Sequence, residues 1–182
     1  MTLALAGIAA RVVETASQLA AYGQKTLTGG STTKADRSPV TKVDLAVQIV
    51  VAHLLRTLSP TIAVLGEEDA EPLKGPGGLA LKADVMALVQ RVDPQLSENQ
   101  AMGYLEESTA ATSSEQSWIL DPIDGTKGFL RGDQYAIALA FCDRGIVTAG
   151  ALGCPNLRFG KAEQAGMVLV ASHGHGAWSQ RI

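Results

Sequence analysis

The stretch WILDPIDGTKGFLRGDQYAIALAF, residues 118–141, constrains this chain more than any other part of it. The apolar run Trp118-Ile119-Leu120 predicts a short buried strand that carries Asp121 to a rigid strand end. Pro122 fixes its own φ and has no N–H to donate, so the backbone turns there. Gly125 lets the chain pass close to a ligand, and the residues after it open a helix whose free N–H groups face outward. Two acids, Asp121 and Asp124, beside such a helix start suit metal-assisted phosphate chemistry. Carboxylates hold hard cations such as Mg²⁺, and cations and N–H groups together neutralise phosphate oxygens. Asp-Pro and Asp-Gly are also common turn dipeptides, so a plain turn stands beside that reading. An EF-hand loop is excluded, because position twelve counted from Asp121 is Gly132 and not a bidentate Glu.

Two upstream segments carry acids of their own. Thr41-x-x-Asp44 approaches a capping box, with the acid favourable in a first helical turn. Gly66-Glu67-Glu68-Asp69 follows a short apolar run. It reads either as a solvated acidic turn or as a cation site, since three adjacent acids repel one another unless a cation sits among them.

The whole string at 118–141 resembles the signature of the lithium-sensitive, Mg²⁺-dependent phosphatase superfamily that includes inositol monophosphatases and fructose-1,6-bisphosphatases. Its continuation KGFLRGDQYAIALAF is most similar to the branch of 3′(2′),5′-bisphosphate nucleotidases. The Asp44 and Glu67 segments match the same pattern in the same order. The resemblance implies that Glu67 and Asp121 hold one Mg²⁺ with the backbone carbonyl of Ile123. Asp121 then bridges to a second ion held by Asp124, in a complete site of two or three ions. Glu68 stands behind these ligands, and Asp69 faces solvent. Asp44 and Thr126 are implied to position and deprotonate a metal-activated water, and the N–H groups of Gly125 and Thr126 to hold phosphate oxygens. The implied substrate is a small nucleotide bisphosphate, 3′-phosphoadenosine 5′-phosphate or its 5′-phosphosulfate analogue, which loses its 3′-phosphate. An inositol phosphate phosphatase is the alternative, and Lys127-Gly128 with RGDQYAIAL argues against it.

The family draws a further carboxylate and its nucleotide-gripping residues from a C-terminal half. Asp133 and Asp143 read as loop and turn residues and do not replace them. The chain therefore reads as truncated, the isolated 182 residues are expected to be weakly active or inactive, and a catalytically inactive fragment is a second alternative.

Length and composition agree with one soluble domain: 182 residues, 46 % hydrophobic and 18 % charged. Aromatics make up only 4 %, so the core must come from Ala, Val, Leu and Ile. A net charge of −3 argues against broad nucleic-acid binding, which wants a basic face. Cys142 and Cys154 read as reduced core thiols of an intracellular protein, with the cytoplasm as the first expectation and an organelle left open; the oligomeric state is not legible. The N-terminal segment carries Arg11 and Glu14 and reads as an amphipathic helix, neither a signal nor a membrane span. His53 reads as a hydrogen-bonded core residue, while His173 and His175 lack the partners a zinc site needs.

Along the chain, helices are predicted over 2–22, with apolar positions Leu3, Leu5, Ile8, Val12, Leu19 and Tyr22, over 41–58 and over 79–92. Gly23 or the Gly29-Gly30 pair ends the first, Ser59-Pro60 the second. Residues 31–38 read as a polar loop and 93–117 as a surface insertion. Strands are predicted at 62–65, 135–141, 146–152 and 167–172, with a Gly-rich tail after the last. Hairpins with helices on one side define an α+β layered sandwich with a mainly antiparallel sheet and two long helices, the N-terminal portion of the inositol monophosphatase type of fold.

Overall fold

The computed structural model of the chain describes residues 2–28, 38–110, 115–158 and 165–182. The predicted loop at 31–38 and the Gly29-Gly30 pair lie almost wholly outside the described residues, as do 111–114. Helices α1 (Thr2–Thr28) and α2 (Ser38–Leu58) lead into the short strand β1 (Ala63–Gly66). A 3₁₀ turn at Glu71–Leu73 precedes α3 (Gly78–Val89) and α4 (Glu98–Ala110). Strand β2 (Gln116–Asp124), helix α5 (Thr126–Arg131) and strands β3 (Ala136–Asp143), β4 (Ile146–Cys154), β5 (Met167–Ser172) and β6 (Gly176–Arg181) complete it. The strands form one sheet in the order β1-β2-β3-β4-β5-β6. Only β1 and β2 are parallel; every later pair is antiparallel.

α1 lies across β3, β4 and β5, and α2 packs against α1, α3 and α4. The buried face of α1 is Leu5, Ala6, Ala9, Val12, Val13, Ala16, Leu19 and Ala20. Alanine dominates it because short side chains let helix and sheet backbones approach closely. Leu3 and Tyr22, expected on that face, are exposed, and the Arg91 guanidinium sits 3.6 Å over the Tyr22 ring. Over Thr2–Thr26 α1 is long and apolar enough to cross a membrane, but 56 % of that window is buried within the domain.

Several expectations are corrected. α1 does not end at Gly23: a Cβ there would lie 2.7 Å from Val43 Cγ2, so this glycine is the close-contact point of α1 and α2. Segment 93–117 is not a surface insertion. It holds α4, whose Ala101, Leu105 and Ser108 are buried, and the helix packs on α2 and β1. Its start is marked by a reciprocal cap: the Ser97 backbone N–H donates to Gln100 Oε1 at 3.1 Å, and the Gln100 N–H to Ser97 Oγ at 3.4 Å. The Gly-rich tail is a turn feeding β6, which pairs with β5 from Met167↔Arg181 to Ser172↔Gly176. Cys142 and Cys154 are free but only half buried, so they are not core thiols.

Candidate metal and phosphate site

Register places the acids. The parallel pairing of β1 with β2 aligns Leu65 with Ile119 and Gly66 with Leu120. One residue further on, Glu67 follows the last residue of β1 while Asp121 lies inside β2, which continues to Asp124, so the two acids stand side by side at the carboxyl end of β1. The outer edge of parallel strand ends is where open sheets with helices commonly bind ligands. Asp121 pairs with Ala138 and Asp124 with Ala136, so β2 advances three positions while β3 advances two. That is a β-bulge at Pro122-Ile123. In a regular strand, residues three apart face opposite sides; the extra residue lets both acids serve one locality. The Ile123 N–H donates to Asp121 Oδ1 at 3.2 Å, which closes the turn.

Asp44 arrives from the other side. Here too the sequence reading is corrected: α2 begins at Ser38, so Asp44 lies in its second turn and does not cap it. Pro39 falls in the first turn, where no N–H is needed. Asp44 is 6 % exposed. Burial, and then the carboxylates of Glu68, Asp121 and Glu67, push its pKa to about 8. Asp121 is raised to about 6 by burial first, then by Glu67 and Asp124, and it shares a hydrogen bond with the Glu67 carboxyl. Glu68 is raised by burial and by its neighbours Glu67 and Asp69. Six carboxyl groups from three separate segments, Asp44, Glu67 to Asp69, and Asp121 with Asp124, thus influence one another through space, as a cluster of like charges must. The structure brings Asp44, Glu67, Glu68, Asp121 and Asp124 within electrostatic reach of one another.

Among the described residues, no three acid, imidazole or thiol groups close into a ready-made coordination shell. The fit to a cation rests instead on the chemistry of the donor set. It is all oxygen, and two of its carboxyls stand close enough to share one proton, where a hard cation would replace that proton. Gly125, at φ 88°, supplies the left-handed turn into α5 that a side chain would strain. Thr126 Oγ1 donates to the Ile123 carbonyl at 3.4 Å, so the proposed base-side hydroxyl and the proposed ligand carbonyl are neighbours.

Sequence reasoning missed the residues that hold these pieces. Gln24 Nε2 in α1 donates to the Phe129 carbonyl at 2.7 Å, and Asn156 Nδ2 donates to Gln24 Oε1 at 3.1 Å and to the Asp133 carbonyl at 2.6 Å. Together with the edge-to-face contact of Phe129 with Tyr135, they seat α5. Polar side chains after a predicted helix or strand gave no local signal of this role. His53 meets its expectation of being hydrogen bonded: Nε2 is 3.1 Å from Asp93 Oδ2. Asp133 pairs with Arg131 at 2.8 Å, as a loop residue does.

An acid cluster beside the bulge at Pro122-Ile123 is a candidate site for a hard cation. The chain belongs to the inositol monophosphatase family, whose profile matches residues 1–182. It is 37 % identical over 190 residues to a 3′(2′),5′-bisphosphate nucleotidase of Oryza sativa, covering 93 % of this chain and 53 % of that protein. It is 38 % identical over 145 residues to a 3′(2′),5′-bisphosphate nucleotidase 1 of Candida albicans (strain WO-1), covering 73 % and 39 %. Among solved structures, Mycobacterium tuberculosis SuhB shares the fold with a TM-score of 0.58 at 22 % identity, over 97 % of this chain and 47 % of that one. CysQ from Bacteroides thetaiotaomicron, described as a bacterial member of the inositol monophosphatase family, shares it with a TM-score of 0.54 at 19 % identity, over 98 % and 49 %. This chain spans about half the length of most of these relatives.

Proposed function

We propose that this chain carries the cation-binding portion of a phosphomonoesterase that removes the 3′-phosphate of 3′-phosphoadenosine 5′-phosphate, with the 5′-phosphosulfate analogue as a second substrate. The observation that carries the reading is the convergence of Asp44, Glu67, Glu68 and Asp121 at one strand edge, where burial first and neighbouring carboxylates second raise the pKa of Asp44, Glu68 and Asp121. The relatives named bisphosphate nucleotidases favour this substrate over an inositol phosphate. The cation is proposed to be Mg²⁺, because carboxylate and carbonyl oxygens suit it. Glu67, Asp121 and the Ile123 carbonyl would hold one ion, and Asp121 with Asp124 a second. When bound, these ions supply positive charge that stabilises the attacking and leaving oxygens.

The chain's own residues do the rest. Asp44, buried beside Glu68, Asp121 and Glu67, would take the proton of the attacking water together with Thr126. Thr126, whose Oγ1 donates to the Ile123 carbonyl at the entry to α5, would help to orient that water. The N–H groups of Gly125 and Thr126 donate to phosphate oxygens. Glu68, half buried, stands behind Glu67.

The test compares phosphate release from 3′-phosphoadenosine 5′-phosphate and from inositol 1-phosphate with Mg²⁺ present. Faster release from the nucleotide, inhibited by lithium and lost in Asp124→Ala, is expected. Faster inositol 1-phosphate turnover would overturn the substrate assignment. Cation binding without turnover of either would leave the chain a cation-binding unit and overturn the assignment of catalysis to it alone.

A further inference from the structure

The acidic loop is not held by its own residues. Gln48 lies one helical turn after Asp44 on α2, on the same face, and is fully buried. Its side-chain amide grips the peptide of Glu68 at both ends. The Glu68 N–H donates to Gln48 Oε1 at 2.9 Å, and Gln48 Nε2 donates to the Glu68 carbonyl at 2.7 Å. The orientation of the amide is fixed by a third partner. Ser108 Oγ donates to the Leu105 carbonyl at 2.9 Å, so it accepts from Gln48 Nε2 at 3.0 Å. Thr109 Oγ1 lies 2.9 Å from the same Glu68 carbonyl. Thus α4 backs the clamp that α2 applies.

Gly66 makes room for it. A Cβ at this position would lie 2.3 Å from Gln48 Cδ, 2.4 Å from Oε1 and 2.5 Å from Nε2. The amide therefore lies flat on the Gly66 backbone, and any side chain there would displace it. Glu67 sits between two immobilised neighbours: Gly66, paired to Leu120 in the sheet, and Glu68, clamped by Gln48. Asp44 and Gln48 share one rigid helix, so the clamp also sets the distance from Asp44 to the Glu67-Glu68 pair.

From this geometry we infer that Gln48 is a positioning residue of the cation site: it touches neither cation nor substrate, and it fixes Glu67 and Glu68 relative to Asp44 through the Glu68 peptide. The inference rests on the cation-site reading above. It explains why a neutral, two-ended amide stands one turn from a buried acid, where a carboxylate would lack the donor and a lysine the acceptor. Supporting residues of this kind commonly change metal affinity 10–100-fold when removed.

The test is a Mn²⁺ titration of the 182-residue chain, followed by the electron paramagnetic resonance signal of the free ion, with the thermal midpoint in chelator measured in parallel. Gln48→Met keeps the volume and loses both ends of the clamp; its Mn²⁺ affinity should fall about tenfold or more. Gly66→Ala should fall similarly, and the double variant should be no weaker than the weaker single one, since both act through one clamp. Affinity in Gln48→Met within about twofold of the parent, or losses that simply add in the double variant, would overturn the inference. If Gln48→Met does not fold, Ser108→Ala and Thr109→Ala remove the backing hydroxyls and leave Gln48 in place. Weakened Mn²⁺ binding in them supports the clamp, and unchanged binding overturns it. Should the parent chain bind no Mn²⁺, the cation-site reading itself fails and this inference falls with it, whereas a binding parent with indifferent variants sinks only the role of Gln48.

Discussion

On the side of the sheet turned toward α1 and α2, Trp118, Leu139, Phe141, Ala151 and Val170 are all buried. On the opposite side, Ile119, Ala140, Gly150, Ala171 and Ala177 form one row across β2 to β6. Asp121, Ala138, Leu152, Leu169 and Ser179 form the next. Apart from Asp121 and Ser179 these rows are apolar too, yet Ile119 and Leu152 are 44 % and 42 % exposed. The helices pack on one face and leave the other open. Asp121 ends one of the open rows, while Asp44 and the Gln48–Glu68 clamp come from the covered side. The acid cluster therefore straddles the sheet edge, with one half framed by packed helices and the other facing an open apolar floor.

The largest test of this contrast is a pair of truncations. Phe141→Ala, in the edge-to-face contact with Trp118, should cost about 3–5 kcal/mol in a denaturant titration. Leu152→Ala on the open face should stay within about 0.5 kcal/mol. Equal costs would mean that the open face is covered in solution.

At the boundary, Asp121→Asn should weaken Mn²⁺ binding about 100-fold, or ~2.7 kcal/mol, because that carboxylate serves both proposed ions. Calorimetric titration reads it, and an affinity within a few-fold of the parent would remove Asp121 from the site.

The covered side predicts a pH effect. Asp44 and Asp121 have folded pKa values of about 8 and about 6, both raised above the usual 3.8. Their contribution to stability is fully present below about pH 4 and is lost as pH rises through 6 and then 8. In chelator, the thermal midpoint should fall along that upper range. Mg²⁺ should restore more at pH 8 than at pH 5, since it competes with these protons. Asp44→Asn should stabilise the cation-free chain at pH 8 by on the order of 1–2 kcal/mol, after discounting for water penetration. An Asn variant no more stable than the parent at that pH would refute the buried-acid account.

Asp124 is exposed on the open side. Asp124→Asn should cost at most about tenfold (~1.4 kcal/mol) in binding of the first Mn²⁺, a clear step below Asp121. A loss as deep as that of Asp121→Asn would show that the two acids are not divided between a framed half and an open half.

Much of this was readable from local patterns. Apolar runs ending in acids marked β1 and the first part of β2, and Gly125 marked the entry to α5, whereas the turn expected at Pro122 is a bulge within β2, which runs on to Asp124. Other parts were hidden for identifiable reasons. α4 is polar along most of its length, and only Ala101 and Leu105 betray its buried side; the signal that could have found it was the Ser97-x-x-Gln100 cap. β6 was masked by the glycines of the preceding turn. The buried face of α1 was misjudged because alanine carries little weight in a search for large apolar residues. Gly23 looked like a helix end, since a close helix–helix contact and a helix stop call for the same residue.

The sequence by itself determined which residues carry charge into the site, because acids at strand ends and around a proline turn are set by near neighbours in the chain. Only the tertiary structure decided that Gln48 clamps Glu68, that Gly66 leaves space for it, and that one apolar face is buried while its twin is open. Those outcomes depend on groups 18 to 60 residues apart meeting in space. Hydrogen bonds and close packing across such distances leave no periodic trace in the chain that makes them.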